Sequence, residues 1–312
     1  MTMDLTVGAN LFFWTTDATR GFYERLRAAP VARVVVGEVV CSKRLPFWEH
    51  DIPLIVSTLK DAGKEVALST LGLITLNRER AKTKDLFDMG LPVEINDITA
   101  LKNLPEGTPF WVGPLVNVYN EGTLAYLARR GATRICLPPE LPLKSIAALC
   151  KAGKEAGVAV EVWGHGRLPL AMSARCYHAR LHDRAKDNCQ FICGADLDGR
   201  EVDTLDGQAF LSVNGVQTLS AATGCAAYYT EALAEAGVSA LRLSPQTGDF
   251  NGLCQGYADR LAGKVSPADL VAKLLPEAPG GRFADGFFDG PSGSDWQHRF
   301  RPDRPSLSWP RR

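Results

Sequence analysis

Four cysteines stand where their spacing could do chemistry. Cys41 directly follows an apolar run in VVVGEVVCSKR, and Cys176, Cys189 and Cys193 succeed one another as C-x12-C-x3-C. Four thiolates can hold a tetrahedral zinc ion or an iron–sulfur cluster. A zinc ribbon usually shows two similar C-x2-4-C knuckles, whereas here only one close pair exists. A remote ligand plus a local trio therefore suits a 4Fe–4S cluster better, while zinc, or thiols that merely pack, stay open on spacing alone. Of the other four cysteines, Cys136 ends a strand-like run in RICLPPE and is the reserve ligand. Cys150, Cys225 and Cys254 fall in helical patterns and read as packing residues.

Other polar groups cluster around these thiols. His178 and His182 are four apart in CYHARLHD, so on a helix they would face one direction, but the H-E-x-x-H signature is missing, and they are expected at the surface or hydrogen-bonded to groups around a ligand rather than as ligands. Glu161, His165, Arg175 and Arg242 are the candidate catalytic residues. Glu161 is expected near the C-terminal end of a strand, where a carboxylate can act as acid, base or substrate orienter; a barrel-interior salt bridge is the competing expectation. Glu38, Asn96 and Arg242 occupy comparable strand-end positions. Lys43 and Arg44 follow Cys41 closely, where cations could offset thiolate charge or hold an anion.

What must position these residues is a repeat. Eight strand-like runs, Leu5 to Gly8, Arg33 to Val36, Glu65 to Leu71, Pro92 to Asn96, Phe110 to Gly113, Arg134 to Leu137, Val158 to Val162 and Ala240 to Leu243, alternate with amphipathic stretches such as LAYLARR and IAALCKAGKEA. Several are preceded by a helix-ending glycine, among them Gly63, Gly131, Gly157 and Gly237. The pattern predicts a single (β/α)8 TIM-like barrel, with functional groups on loops after the strands. A doubly wound open sheet is the alternative, and LTVGANLFFW lacks the G-x-G-x-x-G spacing that would support it.

The long gap after the seventh run predicts a cysteine-bearing insertion at about 164–223, with Asn214-Gly215 as a hairpin turn. The barrel is expected over 1–278. The Gly-, Pro- and Arg-rich stretch over 279–312 shows no apolar period and is expected to be a mobile tail.

The 312 residues include 46% hydrophobic and 22% charged positions, ordinary for a globular chain. Formal net charge is zero, which removes the electrostatic case for a binder of nucleic acid or anionic membrane. Eight cysteines are too few for a secreted disulfide scaffold. MTMDLTVGANLFFW lacks a signal-peptide pattern, and a run of about 18 apolar residues is missing, so a cytoplasmic location is expected.

GEVVCSKR around Cys41, and EVWGHGRLPLAMSARCYHARLHDRAKDNCQFIC from Glu161 to Cys193, resemble the collagenase-like peptidase U32 superfamily. Glu161, Trp163, Gly166, Ser173, Arg175, Cys176, Cys189 and Cys193 match its outline of E-x-[FW]-x-x-G, S-x-R-C and C-x3-C. Within it, the arrangement looks most like the UbiV-like branch. That resemblance implies a 4Fe–4S cluster on Cys41, Cys176, Cys189 and Cys193 and a heterodimer with a UbiU-like member. It implies a part in oxygen-independent hydroxylation of ubiquinone precursors during anaerobic ubiquinone biosynthesis. Related members hydroxylate RNA bases, with prephenate implicated as oxygen donor, and a lipid-tailed substrate calls for a carrier protein. The peptidase label fits poorly, because neither G-x-S-x-G nor H-E-x-x-H occurs.

Overall fold

The computed structural model describes residues 3–290 and 292–298. Its strands are Asp4–Val7 (β1), Arg33–Val36 (β2), Glu65–Ser69 (β3), Val93–Ile95 (β4), Phe110–Val112 (β5), Ala132–Cys136 (β6), Ala159–Met172 (β7), Arg200–Asp203 (β8), Ala209–Asn214 (β9), Gln217–Cys225 (β10), Ala240–Leu243 (β11) and Phe283–Ala284 (β12). The helices are Thr16–Arg25 (α1), Ile52–Asp61 (α2), Asn77–Phe87 (α3), Glu121–Arg129 (α4), Leu143–Ala156 (α5), Tyr177–Arg180 (α6), Thr230–Ala236 (α7), Phe250–Leu261 (α8), Pro267–Leu274 (α9) and Gly286–Asp289 (α10).

β1 to β7 and β11 pair in parallel, and β11 closes the ring by bonding both β1 and β7. The result is the (β/α)8 barrel that the alternation predicts. Strands such as β2 (RVVV) are buried on both faces, because helices cover the outside and side chains fill the inside. Local chemistry sets the helix ends. Asn120 accepts from the Thr123 amide at 2.9 Å to start α4, and Gly157 takes the left-handed conformation that stops α5. The fourth unit departs from the repeat: Asp97 begins only a short 3-10 segment, Ile98–Lys102, before Pro105 and Gly107 redirect the chain.

β7 runs well past the barrel rim. Its outer half pairs antiparallel with β10, which pairs with β9, which pairs with β8. Asn214 and Gly215 turn β9 into β10, and the loop between β7 and β8 carries three of the cysteines.

The chain after 278 corrects the expected tail. β12 pairs in parallel with β10, Thr223 opposite Phe283, and Phe288 of α10 is buried against Tyr229 with ring centroids 4.6 Å apart. Trp296 packs on Phe283 and Tyr228. The missed signal is the aromatic set Phe283, Phe288 and Trp296, which anchors the segment without any helical or strand period. Residues 299–312 of the expected tail lie outside the described residues. Among the described residues, no helix is long and apolar enough to cross a membrane.

Candidate functional site

Cys41, Cys176, Cys189 and Cys193 line one small cavity beyond the barrel rim. Each is placed by a local device. After β2, the buried Glu38 carboxylate accepts from the amides of Val40 (2.9 Å) and Cys41 (3.0 Å), folding the turn that presents Cys41. The Cys176 thiol sits at the start of α6 and accepts from the Ala179 amide at 3.4 Å. Between Cys189 and Cys193, Gln190 and Phe191 both hold left-handed conformations, φ 48° and 54°. Such strain persists only where surroundings over-determine it; here the Phe191 ring is wedged against Phe47 (4.7 Å) and Phe13 (5.7 Å).

A buried cation faces the thiols. Arg44 is 1% exposed and donates from Nη1 to the Leu11 carbonyl (2.9 Å) and from Nη2 to Asn214 Oδ1 (2.8 Å). Among the described residues its Nε has no hydrogen-bond partner, and the Cys193 thiol lies close to the guanidinium. Gly215, at φ 62°, lets the hairpin close over this group, since a Cβ there would come within 2.7 Å of Nη2. Lys43 Nζ donates to the Lys186 carbonyl at 2.8 Å, drawing the two cysteine loops together. Burial pushes the Cys41 and Cys193 thiols up, and the Arg44 charge opposes that rise.

The thiols are spread. A single zinc with four sulfur ligands at about 2.3 Å would hold them about 3.8 Å apart. Among the described residues, the metal-capable trio whose ligand atoms all fall within 4.8 Å of one another is His178, His182 and Asp196, and no three of the four thiols form such a set. His178 lines the same cavity, its Nε2 lies 2.8 Å from Asp196 Oδ2, and its ring stacks on His182. The sequence reading paired the histidines but missed Asp196, which no spacing marks. The reserve ligand Cys136 does not join the cavity. It is buried at the end of β6 beside Arg242 and Glu161. Cys150, Cys225 and Cys254 are buried in the core, with burial raising each thiol, to about 11 for Cys225.

Of the four catalytic candidates the structure brings Glu161 and Arg242 together, while His165 and Arg175 do not join them. Glu161 is not at the end of β7, because that strand continues to Met172; it sits near the strand's start, fully buried. Its carboxylate accepts from Thr6 Oγ1 (2.7 Å), Arg242 Nη2 (2.8 Å) and Arg134 Nη1 (3.3 Å). Burial raises its pKa, but Arg242 and Arg134 outweigh that and hold it below the ordinary range. Arg242 in turn donates to both oxygens of Glu94, at 2.9 and 2.5 Å. Arg33 adds a third cation, 3.7 Å from Glu161. This is the interior ion network anticipated as the alternative role for Glu161. Glu94, Arg33 and Arg134 were missed, although Glu94 lies two residues before Asn96 and so on the same strand face.

Above the network, at the C-terminal mouth where barrel enzymes hold substrate, Leu11, Val39, Leu115 and Pro169 line the space on the axis. A cavity of about 20 Å³ remains, room for about one water molecule. Arg175 is exposed, away from this interior.

His165 is fully buried, with Nδ1 3.2 Å from the Tyr257 hydroxyl and its ring against Phe283. Burial pushes its pKa down to about 3, so it is neutral at physiological pH. The unfolded chain binds this proton below about pH 6.5 while the native state does not. Its stabilising contribution is therefore complete above that pH and is lost as pH falls toward 3. At pH 5.5 the loss should be about 1.4 kcal/mol relative to pH 7.5. Urea unfolding at the two pH values checks this: His165→Gln should flatten the slope by that amount, and an unchanged slope would refute the assignment.

A family model described as peptidase family U32 matches residues 22–258, about three quarters of the chain. Among solved structures, the chain is similar to a mandelate racemase/muconate lactonizing enzyme from Roseiflexus sp. (15% identity, 53% of this chain and 48% of that one, TM-score 0.35). It is also similar to an enolase from Agrobacterium radiobacter (12%, 52% and 45%, TM-score 0.35) and to N-isopropylammelide isopropylaminohydrolase from Burkholderia multivorans ATCC 17616 (12%, 88% and 72%, TM-score 0.41). The chain spans about half the length of the first two.

Proposed function

The chain belongs to peptidase family U32, and from that membership we propose that it is the iron–sulfur subunit of an oxygen-independent hydroxylase acting on ubiquinone precursors. In this reading it resembles the UbiV-like branch and works with a UbiU-like partner. The observation that carries the proposal is the four-cysteine cavity: one remote and three local thiols, spread wider than a single ion's ligands, face the buried Arg44.

That donor set fits a 4Fe–4S cluster on Cys41, Cys176, Cys189 and Cys193. Bound there, such a cluster supplies one-electron transfer, because four protein ligands leave no iron open to substrate. The chain's own part is to hold and shield. Arg44 offsets thiolate charge, Glu38 fixes the Cys41 turn, and Phe191 packs between Phe13 and Phe47. Peptide hydrolysis finds no support, since Glu161 is already bonded on both oxygens and His165 stays neutral in the core. An oxygen donor such as prephenate, and a carrier that delivers the lipid-tailed precursor, complete the scheme.

Ubiquinone content of a deletion strain tests the reading. Grown without oxygen, the strain should lose most of its ubiquinone, and grown with oxygen it should keep it. Unchanged anaerobic content would overturn the proposal and transfer weight to hydroxylation of RNA bases, which the zero net charge disfavours.

A further inference from the structure

A second, much larger cavity adjoins the cysteines. It has a volume of about 530 Å³ and opens between α2 and α3 on the outer side of β2 and β3. Its origin is legible in α3. A barrel helix normally presents an apolar stripe to the strands, as α2 does with Ile52, Ile55, Val56 and Leu59. In α3 (NRERAKTKDLF) the buried residues are Glu79 and Thr83. These cannot fill the space over the strands, and an apolar hollow is left, walled by Val36, Leu45, Ile52, Leu68, Leu71 and Leu86. The barrel mouth, by contrast, has room for about one water molecule. The customary place for a substrate is small, and this side cavity lies within the size range of small-molecule sites, about 300–1,000 Å³.

The hollow adjoins the cysteine site. Lys43 and Phe191 line both cavities. The Glu79 carboxylate, which accepts from the Leu76 amide (2.9 Å) at the start of α3, also accepts from the Ser42 hydroxyl at 2.6 Å, next to Cys41. The charged residues Arg78, Lys82 and Glu49 stand at the cavity edge, with Lys82 paired to Glu49. Walls that are mostly apolar, with charged groups both at this edge and, as Glu38, Lys43 and Glu79, toward the cysteines, suit a ligand that is mostly hydrocarbon with a polar end.

We propose that this cavity binds an amphipathic aromatic, a phenol-like ring carrying a hydrocarbon chain, and holds it beside the cysteine site. The phenolic identity rests on the function proposed above; the preference for an apolar ligand rests on the walls alone. The ring end would lie toward Lys43 and Phe191, where hydrogen-bond donors are found, and the chain against Leu68, Leu71 and Leu86.

The test is calorimetric titration of the full chain, purified without oxygen, with 2-farnesylphenol, alongside iron and sulfide assays on the same samples. One saturable site is expected. Leu86→Trp, which fills the hollow, and Leu71→Asp, which places a carboxylate in its wall, should each weaken binding at least about tenfold. Leu170→Asp, at an exposed position outside the lining, should leave binding unchanged and controls for general effects on the fold. Absence of saturable binding, or variants that bind like wild type, would overturn the inference. So would protection of α2 and α3 amides from hydrogen exchange by the partner subunit together with absence of ligand binding, since the hollow would then be a docking groove. Iron-replete protein that fails to bind sinks this inference and spares the cluster; iron-free protein that binds does the reverse.

Discussion

Protein carrying Cys176→Ala or Cys193→Ala, purified without oxygen, should be colourless and contain almost no iron or inorganic sulfide. The wild type should be brown, with about four of each per chain, as a 4Fe–4S cluster requires. The expectation follows from the shared cavity: each of the four thiols faces it, and losing one leaves an iron without a protein ligand. Cys150→Ala is the control. Cys150 is buried in α5, outside that cavity, so its loss should cost stability and leave the iron in place. Wild-type protein that holds zinc at one ion per chain would refute the cluster. A Cys176 variant that retains full iron would refute the ligand set, and Cys136 is not placed to substitute.

Glu161→Gln should lower unfolding stability by about 3–5 kcal/mol, the cost of breaking a buried ion pair by removing one partner. The substitution keeps the shape but leaves Arg242 with Glu94 alone, takes the carboxylate partner from Arg134, and leaves Arg33 to Asp4 (2.7 Å) and Glu65 (3.8 Å). Urea denaturation measures the loss. Iron content per folded chain should be unchanged, because the network lies in the barrel interior and the cysteines beyond its rim. If stability held while hydroxylation failed, Glu161 would be a catalytic group and its structural assignment wrong. Replacing Arg242 with Met would leave the buried Glu94 without its cation, Glu161 keeping Arg134 and Arg33, and should destabilise on the same scale.

The barrel was legible because each of its strands obeys local rules. Val34, Val35 and Val36 announce a strand buried on both sides, and Gly157 announces the end of the helix before β7. The four cysteines were legible for a different reason: sulfur at such spacing has few uses. What local rules could not supply was where β7 stops. Its last eight residues are a strand because β10, over forty residues later, bonds to them, and a partner at that distance leaves no mark in the residues themselves. Misjudging that end misplaced Glu161, which the sequence put at a rim and the structure puts in the interior. The short β12 was hidden likewise, two residues being too few to show a period. The hollow beside α3 is the converse case. The polar character of NRERAKTKDLF was visible throughout, but its consequence depends on what the neighbouring strands present.

β12 gives the ribbon beyond the barrel a property that its length conceals. Along one side of β10, β9 bonds residues 217–220 and then departs, while Thr223 and Gly224 continue unaccompanied until Phe283 and Ala284 arrive. Without those two residues that stretch would offer free amides and carbonyls to any passing chain, as an open sheet edge does. The pair thus acts as a guard against self-association. Because residues 283–284 follow β10 in the chain, the guard is absent until they have been made, and the ribbon that carries the cysteines is fully protected only after that.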